Sequence, residues 1–401
     1  NGDWQRADGN YPFKFDNGAE IEHRKRYNSD VNIWRGELNL YGSFGKGGDL
    51  TIKGNYFDSK RGLPGSTVSH SIYAKNRLKD RDYYIQANYK NAFSEKLSMK
   101  GAAKFMRTRN HYREFKGKDS YLDNIYTQKE YYASAVFLYQ PIKTLSFSLA
   151  EDFSINELDI NQPDNDSPLA PPQNPKRTTS LTALQAKYVL PFITINAGAL
   201  GTYAHESVKK GKAPLDKKRL SPFVGFSAQP FQTVNWHIRA SYKDIYCMPT
   251  FNDLYFFRVG NSDLRPEIAQ QYNLGMTWGT NVSSVVEYIS LTVDGYFNKV
   301  KDKIVAISPS LFVWKMMNAA KAEVKGVDVN AHAELRLSKG LRLKLNGAYS
   351  YQSSVDLSDP ASNVYKMQVP YTPKHMGSAS ATFSTPWVNI SYSLVACGVR
   401  Y

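Results

Sequence analysis

The sequence predicts an all-β protein, a transmembrane antiparallel β-barrel, and two observations carry this prediction. From Ile289 to Asn298 apolar and polar residues alternate without exception, which is the period of two expected for a strand with one dry and one wet face. Similar segments recur in pairs, joined by a short turn within a pair and by a long polar connection between pairs. Short turns on one rim and long loops on the other are typical of outer-membrane barrels.

Composition favours strands over helices as the spanning elements. The 401 residues include 28 Tyr and 20 Phe, and no apolar run approaches the roughly 18 residues that a membrane helix needs. A barrel strand shows lipid only with every second side chain, so its average hydropathy stays low. The composition is therefore compatible with an outer-membrane barrel or with a soluble all-β protein.

The chain is basic, with 51 Lys and Arg against 36 Asp and Glu and a formal charge of +15. A basic surface can attract nucleic acid, lipid phosphates or an anionic ligand, so charge alone identifies no partner. No nucleic-acid-binding motif accompanies the charge, and no nucleic-acid partner is predicted. In an outer membrane the phosphates of the external leaflet would supply the counter-charge, which makes membrane lipid an expected partner.

The start of the chain is polar and rich in turn signals, so residues 1–30 are predicted to form a loop. Asn1 is not an initiator residue, and any export signal is expected to lie outside this sequence. Alternation begins at Trp34 and continues to Phe44. A turn at residues 45–48 then sends the chain back, which predicts a hairpin.

Seven further hairpins are predicted by the same signals, with turns at residues 94–96, 140–143 and 190–192 and near Pro230, Asn281, Lys339 and Pro386. Eight hairpins give about sixteen strands, most of about ten to thirteen residues, which is near the length that crosses a bilayer at a tilt. The connections between hairpins are rich in Asp, Asn, Pro and Lys and are predicted to be loops: residues 58–78, 110–128, 158–177, 206–218, 247–266, 301–322 and 355–373.

Two further patterns favour a barrel. Aromatic residues beside the short turns suggest an interfacial belt, although aromatic residues also simply favour strands; they are Tyr139, Phe192, Phe231, Trp278 and Trp387. Alternating polar residues predict a wet lumen face, formed by Asp328, Asn330, His332, Glu334, Arg336, Arg342, Lys344 and Asn346. A propeller needs four short strands per repeat and a sandwich needs a second sheet of matching length, so both are disfavoured.

No pattern in the sequence supports an enzyme. The seven histidines are scattered, and no metalloprotease motif, nucleophile elbow or phosphate-binding loop occurs. Cys247 and Cys397 lack metal-type spacing and are predicted to be unpaired. Asp159, Asp164 and Asp166 form an oxygen-rich segment that could bind calcium, which takes carboxylate oxygens, or could be a solvated turn. No other cofactor is predicted.

Several motifs together resemble a known family. They are Cys247-Met-Pro-Thr-Phe-Asn-Asp-Leu-Tyr-Phe256, Gly260-Asn-Ser-Asp-Leu-Arg-Pro-Glu267, Tyr296-Phe-Asn-Lys-Val-Lys-Asp-Lys-Ile304, Asn318, Val324-Lys-Gly-Val-Asp328 and Pro370-Tyr-Thr-Pro-Lys-His375. Their order and spacing resemble the C-terminal half of TonB-dependent outer-membrane receptors. Upstream, Arg26-Tyr-Asn-Ser-Asp30 and Ser59-Lys-Arg-Gly-Leu-Pro-Gly65 resemble the cobalamin (vitamin B12) receptor-like branch of Bacteroidetes.

The resemblance implies that residues 1–401 form one partial β-barrel domain, about 16 strands of the family's 22-stranded barrel. Family members also have an N-terminal plug with a TonB box, which this sequence does not show, and about four final strands are expected beyond Tyr401. The resemblance places the protein in the outer membrane of a Gram-negative bacterium. Its implied partners are the TonB-ExbB-ExbD complex, acting through the plug, and a surface lipoprotein is a further candidate.

The resemblance implies energised import of a scarce ligand, with cobalamin or a related corrinoid first and a ferric siderophore as the alternative. Heme receptors of the family carry a His in this loop, and none occurs between Met248 and Glu267, which disfavours heme. The expected ligand contacts are Asn252, Tyr255, Phe256, Phe257 and Arg258. Aromatic faces would bury the ligand and polar groups would orient it. Alternatively, Tyr255 and Phe256 pack the loop against the barrel rim.

Two rival functions stay open at this point. Sixteen strands can enclose an aqueous channel, so a passive sixteen-stranded porin is the first rival. The second is a soluble sugar-binding β protein, which would dissolve without detergent.

Overall fold

A computed structural model describes residues 1–45, 47–65, 75–116, 119–161, 173–211, 213–231, 233–256, 259–310, 313–363, 365–369 and 372–399. Within these ranges the chain forms nineteen β-strands and one short α-helix. None of the described residues belongs to a helix that is long and apolar enough to cross a membrane. The all-β prediction is confirmed.

The elements follow one another along the chain without a second helical segment in the described residues. In order they are β1 (Gly2–Ala7), β2 (Pro12–Asp16), β3 (Ile21–Lys25), β4 (Val31–Phe44), β5 (Gly48–Gly62), β6 (Arg77–Ala92), β7 (Leu97–Lys116), β8 (Asp119–Ile142), β9 (Leu145–Asn161), β10 (Pro175–Val189), β11 (Ile193–Val208), β12 (Lys217–Ala228), β13 (Asn235–Cys247), α1 (Phe251–Tyr255), β14 (Glu267–Thr280), β15 (Val286–Ser310), β16 (Val313–Ser338), β17 (Leu341–Asp356), β18 (His375–Ser384) and β19 (Asn389–Cys397).

Two compact units are built from these elements. Unit 1 comprises Asn1–Gln140, Ser148–Ala183 and Gly201–Lys218, and unit 2 comprises Pro141–Phe147, Leu184–Leu200 and Arg219–Tyr401. In unit 1, β1 pairs with β4, and β4 to β8 pair in sequence order. In unit 2, β12 to β19 pair in sequence order. Each of these pairs is antiparallel, as the sequence predicts.

The eight predicted hairpins are all present, as β4/β5, β6/β7, β8/β9, β10/β11, β12/β13, β14/β15, β16/β17 and β18/β19. Seven turns lie where the sequence places them. The turn between β8 and β9 is shifted to residues 143–144, because β8 continues to Ile142.

The prediction of a loop over residues 1–30 is wrong. β1 pairs with β4, and the ring of Trp4 stacks on that of Trp34 with centroids 5.4 Å apart. β2 and β3 form a separate two-stranded hairpin. Pairing with a strand about thirty residues away is a long-range contact, and polar composition does not reveal it.

Two predicted loops, 110–128 and 301–322, are also largely strand. The β7–β8 ladder continues from the pair Asn110–Tyr126 to the pair Lys116–Asp119. The β15–β16 ladder continues to the pair Ser310–Val313, which makes β16 26 residues long. These extensions lack apolar alternation, so their composition is that of a loop. The backbone N–H and C=O groups nevertheless pair, because a ladder satisfies them whatever the side chains are.

On the polar face of unit 2, a side-chain ion pair connects β13 with β15 across the intervening strand β14. Arg239 of β13 donates to both carboxylate oxygens of Asp294 of β15 at 2.6 Å, and to Thr277 Oγ1 at 2.8 Å. Gly275 of β14 lies between them in the register. A Cβ at Gly275 would be 2.0 Å from Asp294 Oδ1 and 2.9 Å from Arg239 Nε. The glycine therefore leaves the space that the ion pair occupies.

The residues predicted to form a wet face contact one another across β16 and β17. Lys344 Nζ lies 3.0 Å from Glu334 Oε1, and His332 Nδ1 lies 2.7 Å from Asn346 Oδ1. Residues that meet across an antiparallel pair lie on the same side of the sheet. The alternation is thereby confirmed for these strands.

The other face of the sheet in unit 2 is apolar and exposed. Leu274 is 63% exposed and Val327 40% exposed, although both lie within the sheet. Rows of aromatic residues flank this surface: Trp236 is the cross-strand neighbour of Trp278, and Tyr272 lies 5.1 Å from Tyr242 between ring centroids. An exposed apolar sheet face bordered by aromatic rings is a surface suited to lipid.

Most of the predicted belt residues are exposed beside their turns, as contact with lipid requires. Trp387, Phe231, Phe192 and Tyr139 are exposed, and Trp278 is half-buried.

Gly275→Ala is expected to destabilise the folded protein by about 1–3 kcal/mol, the usual cost of overpacking, because the added Cβ meets the Arg239–Asp294 pair. Urea unfolding of the protein folded into lipid vesicles measures this. Gly347→Ala is the matched control, since a Cβ there would have no neighbour within 4 Å. Equal stability of the two variants would contradict the spacing role of Gly275.

Leu274→Arg is expected to lower the free energy of unfolding in vesicles by about 2–4 kcal/mol, the cost of a cation facing lipid near the bilayer midplane. The neighbouring change Asn273→Arg, on the polar face, is the control and is expected to fold nearly as well as the unchanged protein. The folded fraction across a urea series is the measurement. A similar loss in both variants would show that Leu274 does not face lipid.

Candidate functional site

The loop between β13 and β14, residues 248–266, begins with a capped helical turn. Thr250 Oγ1 accepts a hydrogen bond from Asp253 N at 3.2 Å, and Asp253 Oδ2 accepts one from Thr250 N at 2.8 Å. This reciprocal capping box satisfies two backbone donors that α1 would otherwise leave without partners. The sequence Thr250-Phe-Asn-Asp253 therefore forms a helix start close to the beginning of the loop.

The structure separates the residues that were predicted to contact ligand. Phe251, Leu254 and Tyr255 are buried, and the rings of Phe251 and Tyr255 lie 5.8 Å apart in an edge-on arrangement. Asn252 is exposed and Phe256 is half-buried. Tyr255 therefore helps to pack the loop, whereas Asn252 is available to a ligand. Phe257 and Arg258 lie outside the described residues.

The chain then folds back onto α1 at Gly260. A Cβ at this position would be 2.7 Å from the backbone nitrogens of Tyr255 and Phe256, so only glycine fits so close to the helix end. Asn261 N donates to Asp253 O at 2.8 Å. The two halves of the loop are thus held together through their backbones.

A second set of contacts ties the loop to β15 and β16. Met316 N donates to Val259 O at 2.9 Å, and Asn261 Nδ2 donates to Met316 O at 3.0 Å. Farther along, Arg265 donates to Asp302 Oδ1 through Nε at 2.9 Å and through Nη2 at 2.6 Å. The hydrogen bonds to Asp302 raise the pKa of Arg265 above its ordinary value. Arg265 is therefore a permanent cation at this position.

Asn318 of β16 completes the connection. Its Oδ1 accepts from Arg265 N at 2.8 Å, and its Nδ2 donates to Arg265 O at 2.9 Å and to Asp302 O at 2.6 Å. Glu267 accepts a hydrogen bond from the backbone of Ile304 through its carboxylate. The sequence motifs contained these residues but did not reveal their contacts, because most of the partners are separated by more than thirty positions.

The upstream motifs form a comparable arrangement in unit 1. Asn28 Nδ2 donates to Leu63 O at 3.0 Å and to Asn76 O at 2.9 Å, and Arg77 forms a bidentate ion pair with Asp30 at 2.6 and 2.7 Å. Asn28 has a left-handed backbone, with φ of 56°. One asparagine side chain therefore joins the two ends of the connection between β5 and β6.

The suggested calcium site is only partly described. Asp159 Oδ1 lies 3.4 Å from Lys209 Nζ, so this carboxylate already has a cationic partner. Asp164 and Asp166 lie outside the described residues. No group of three or more His, Cys, Asp and Glu side chains suited to a metal occurs in the described ranges. Calcium binding stays a prediction.

What this geometry supports is binding. The β13–β14 loop offers an exposed amide, Asn252, beside packed aromatic rings, on a backbone that is held to the sheet at several points. A loop held in this way would lose little conformational freedom when a ligand docks, which would favour affinity.

Comparison with known proteins identifies the class. The family of TonB dependent receptor-like β-barrels matches residues 1–401, and the chain belongs to this family. The antiparallel β-barrel predicted from sequence is thereby confirmed. The family consists of outer-membrane receptors and transporters, not enzymes.

Two curated relatives are vitamin B12 transporters named BtuB. The protein of Photobacterium profundum is 31% identical over 88 residues, which are 21% of this chain and 13% of that protein. The protein of Vibrio vulnificus is 25% identical over 114 residues, which are 28% of this chain and 16% of that protein. Both similarities are local.

Solved structures share the fold over most of the chain. The copper transporter OprC superposes with a TM-score of 0.73 at 11% identity, covering 96% of this chain and 59% of its own length. The siderophore receptor PirA from Pseudomonas aeruginosa superposes with a TM-score of 0.63 at 13% identity, covering 92% of this chain and 62% of its own. The chain thus spans less than two thirds of either structure. At such identities the likeness shows the fold alone.

Acid is expected to loosen the upstream arrangement. The hydrogen bonds from Arg77 hold the pKa of the Asp30 carboxyl below its ordinary value of 3.8, against an opposing effect of burial. The ion pair therefore stabilises the folded state above that value, and the contribution is lost as the pH falls through the lowered pKa. Asp30→Asn is expected to speed amide exchange at Gly62 and Leu63 about two- to fivefold at pH 7. The substitution is also expected to remove most of the acid dependence of exchange at these two amides.

Hydrogen exchange with mass spectrometry, corrected for the intrinsic pH dependence, is the measurement. Asp263→Asn is the control, because Asp263 is an exposed loop carboxylate in the other unit. If Asp30→Asn left exchange at Gly62 and Leu63 unchanged at pH 7, the ion pair would not be what holds this connection.

Proposed function

We propose that this chain is the barrel portion of an outer-membrane receptor that imports cobalamin or a related corrinoid by active transport coupled to TonB. The energy would come from the TonB-ExbB-ExbD complex in the intact receptor. In this proposal the β13–β14 loop contributes to the docking surface for the ligand outside the cell.

The observation that carries the proposal is the exposure of two side chains in that loop. Asn252 is exposed on the first turn of α1, and Phe256 is half-buried beside it. A corrinoid is a broad macrocycle with amide groups on its edge. An aromatic edge can cover the macrocycle, and an asparagine can both donate to and accept from the amides.

Ligand chemistry also separates the alternatives. The loop has no histidine between Met248 and Glu267, so it supplies no imidazole ligand for heme iron. The local similarity to two vitamin B12 transporters supports a corrinoid. A ferric siderophore is the other outcome that the binding experiment must distinguish.

Equilibrium binding of cyanocobalamin to the intact receptor in detergent tests the proposal. Saturable binding is expected, and Asn252→Ala is expected to weaken it about tenfold, the effect of losing one or two hydrogen bonds. Ser262→Ala, an exposed position in the same loop, is the control and is expected to bind like the unchanged protein.

Other results would redirect the assignment. Absence of cyanocobalamin binding at micromolar ligand, together with saturable binding of a ferric siderophore, would replace the corrinoid. A large, ligand-independent conductance of the intact receptor in a planar bilayer would favour a passive porin.

A further inference from the structure

The β13–β14 loop is held by side chains that belong to other strands. Asn318 comes from β16 and Asp302 from β15, and both meet Arg265 at the end of the loop. They lie in the part of β15 and β16 where the sequence predicted a loop. The extended ladder therefore puts a support next to the candidate ligand loop.

The side chain of Asn318 makes the backbone hydrogen bonds to Arg265 that a paired β-strand would otherwise make. Its amide accepts from Arg265 N and donates to Arg265 O, which are the two backbone groups that a paired strand would satisfy. The same Nδ2 donates to Asp302 O at 2.6 Å. One side chain thus fixes the backbone of the loop relative to β15.

Asp302 adds a charged contact from a constrained backbone. Its φ is 54°, a left-handed conformation that costs a non-glycine residue free energy unless the surroundings hold it. Asn318 stabilises this conformation, since its Nδ2 donates to the Asp302 carbonyl oxygen. In this conformation the Asp302 carboxylate accepts hydrogen bonds from both Nε and Nη2 of Arg265.

The remaining contacts transmit this support to α1. Val259 and Asn261 bond to Met316, two residues before Asn318, and Asn261 N bonds to Asp253 O of α1. Gly260 lies directly against the end of the helix. Hydrogen bonds within unit 2 therefore connect the part of β16 that carries Asn318 to α1, which contains Asn252.

We propose that Asn318 and Asp302 are positioning residues that hold the β13–β14 loop in one conformation, so that its ligand-facing end is already ordered before the ligand arrives. Neither residue touches the ligand in this proposal. The part that concerns the ligand rests on the proposed function, whereas the ordering of the loop does not. Preorganisation of this kind raises affinity by reducing the entropy lost on binding.

Hydrogen exchange of the intact receptor in detergent, without ligand, tests the ordering. Asn318→Ala is expected to speed exchange about tenfold at Arg265, which loses its acceptor, and also at Gly260 and Asn261, whose own acceptors are untouched. Exchange in β13 and β14 is expected to stay unchanged. Asn389→Ala, at an exposed position of β19, is the control.

A second pair of variants guards against misfolding of the first. Arg265→Ala is expected to loosen the same amides, and Arg265→Lys, which keeps the cation beside Asp302, is expected to restore part of the protection. Unchanged exchange at Gly260 and Asn261 in both Asn318→Ala and Arg265→Ala would overturn the proposal. Equal acceleration throughout β13 and β14 would also overturn it, because that result means general destabilisation.

The dissociation rate of cyanocobalamin tests the consequence for the ligand. Asn318→Ala is expected to speed dissociation about tenfold, and Arg265→Lys is expected to have a smaller effect than Arg265→Ala. A loosened loop with unchanged dissociation would overturn the role in binding. If the unchanged receptor binds no cyanocobalamin, the proposed ligand fails, and the exchange result alone decides whether Asn318 and Asp302 position the loop.

Discussion

Antiparallel backbone pairing between neighbouring strands is the constraint on which the rest of this structure depends. In lipid, a backbone N–H or C=O group without a partner costs several kcal/mol, so a membrane strand must pair along its length. Pairing also fixes the register, and a register error of one residue would turn every side chain to the wrong face. The Arg239–Asp294 pair depends on this register, which places Gly275 between its members, and a Cβ at Gly275 would be 2.0 Å from Asp294 Oδ1.

The same pairing extends into the region that carries the candidate site. β15 and β16 continue well past the alternating segment, and their ends bear Asp302, Met316 and Asn318. These residues contact the β13–β14 loop through hydrogen bonds of 2.6–3.0 Å. A loop that would otherwise be held only at its ends is therefore supported at its middle and at its last residues. Loops that must recognise a ligand benefit from such rigid supports.

The strands and turns were largely predictable, because they depend on local patterns. Alternation placed Ile289–Asn298 on the correct faces, and the breaks between alternating segments placed seven of the eight turns. Residues 1–30 and the segments 110–128 and 301–322 were predicted wrongly. Their strands pair without an apolar face, so the period-two signal that marks a membrane strand is missing there.

The candidate site was predictable only in part. The motifs directed attention to the β13–β14 loop, and the capping pair Thr250 and Asp253 is recognisable from spacing alone. The sequence left the division of labour within the loop open, with Tyr255 either a ligand contact or a residue that packs the loop. In the structure Tyr255 is buried against Phe251, whereas Asn252 next to the cap is exposed. Burial depends on which residues pack over a side chain. The contact of Gly260 with the end of α1 is not predicted by any local sequence pattern.

Local order along the chain was enough to predict the fold class and the hairpins, because alternation and turn residues act over a few neighbouring positions, and the order of motifs over residues 247–375 predicted the family. Contacts between distant segments decided the rest. Asn318 meets Arg265 and Asn28 meets Asn76 only because paired strands bring those positions side by side. A side chain that satisfies the backbone of a remote loop has no signature in its own neighbourhood, since the groups that it binds belong to another part of the chain.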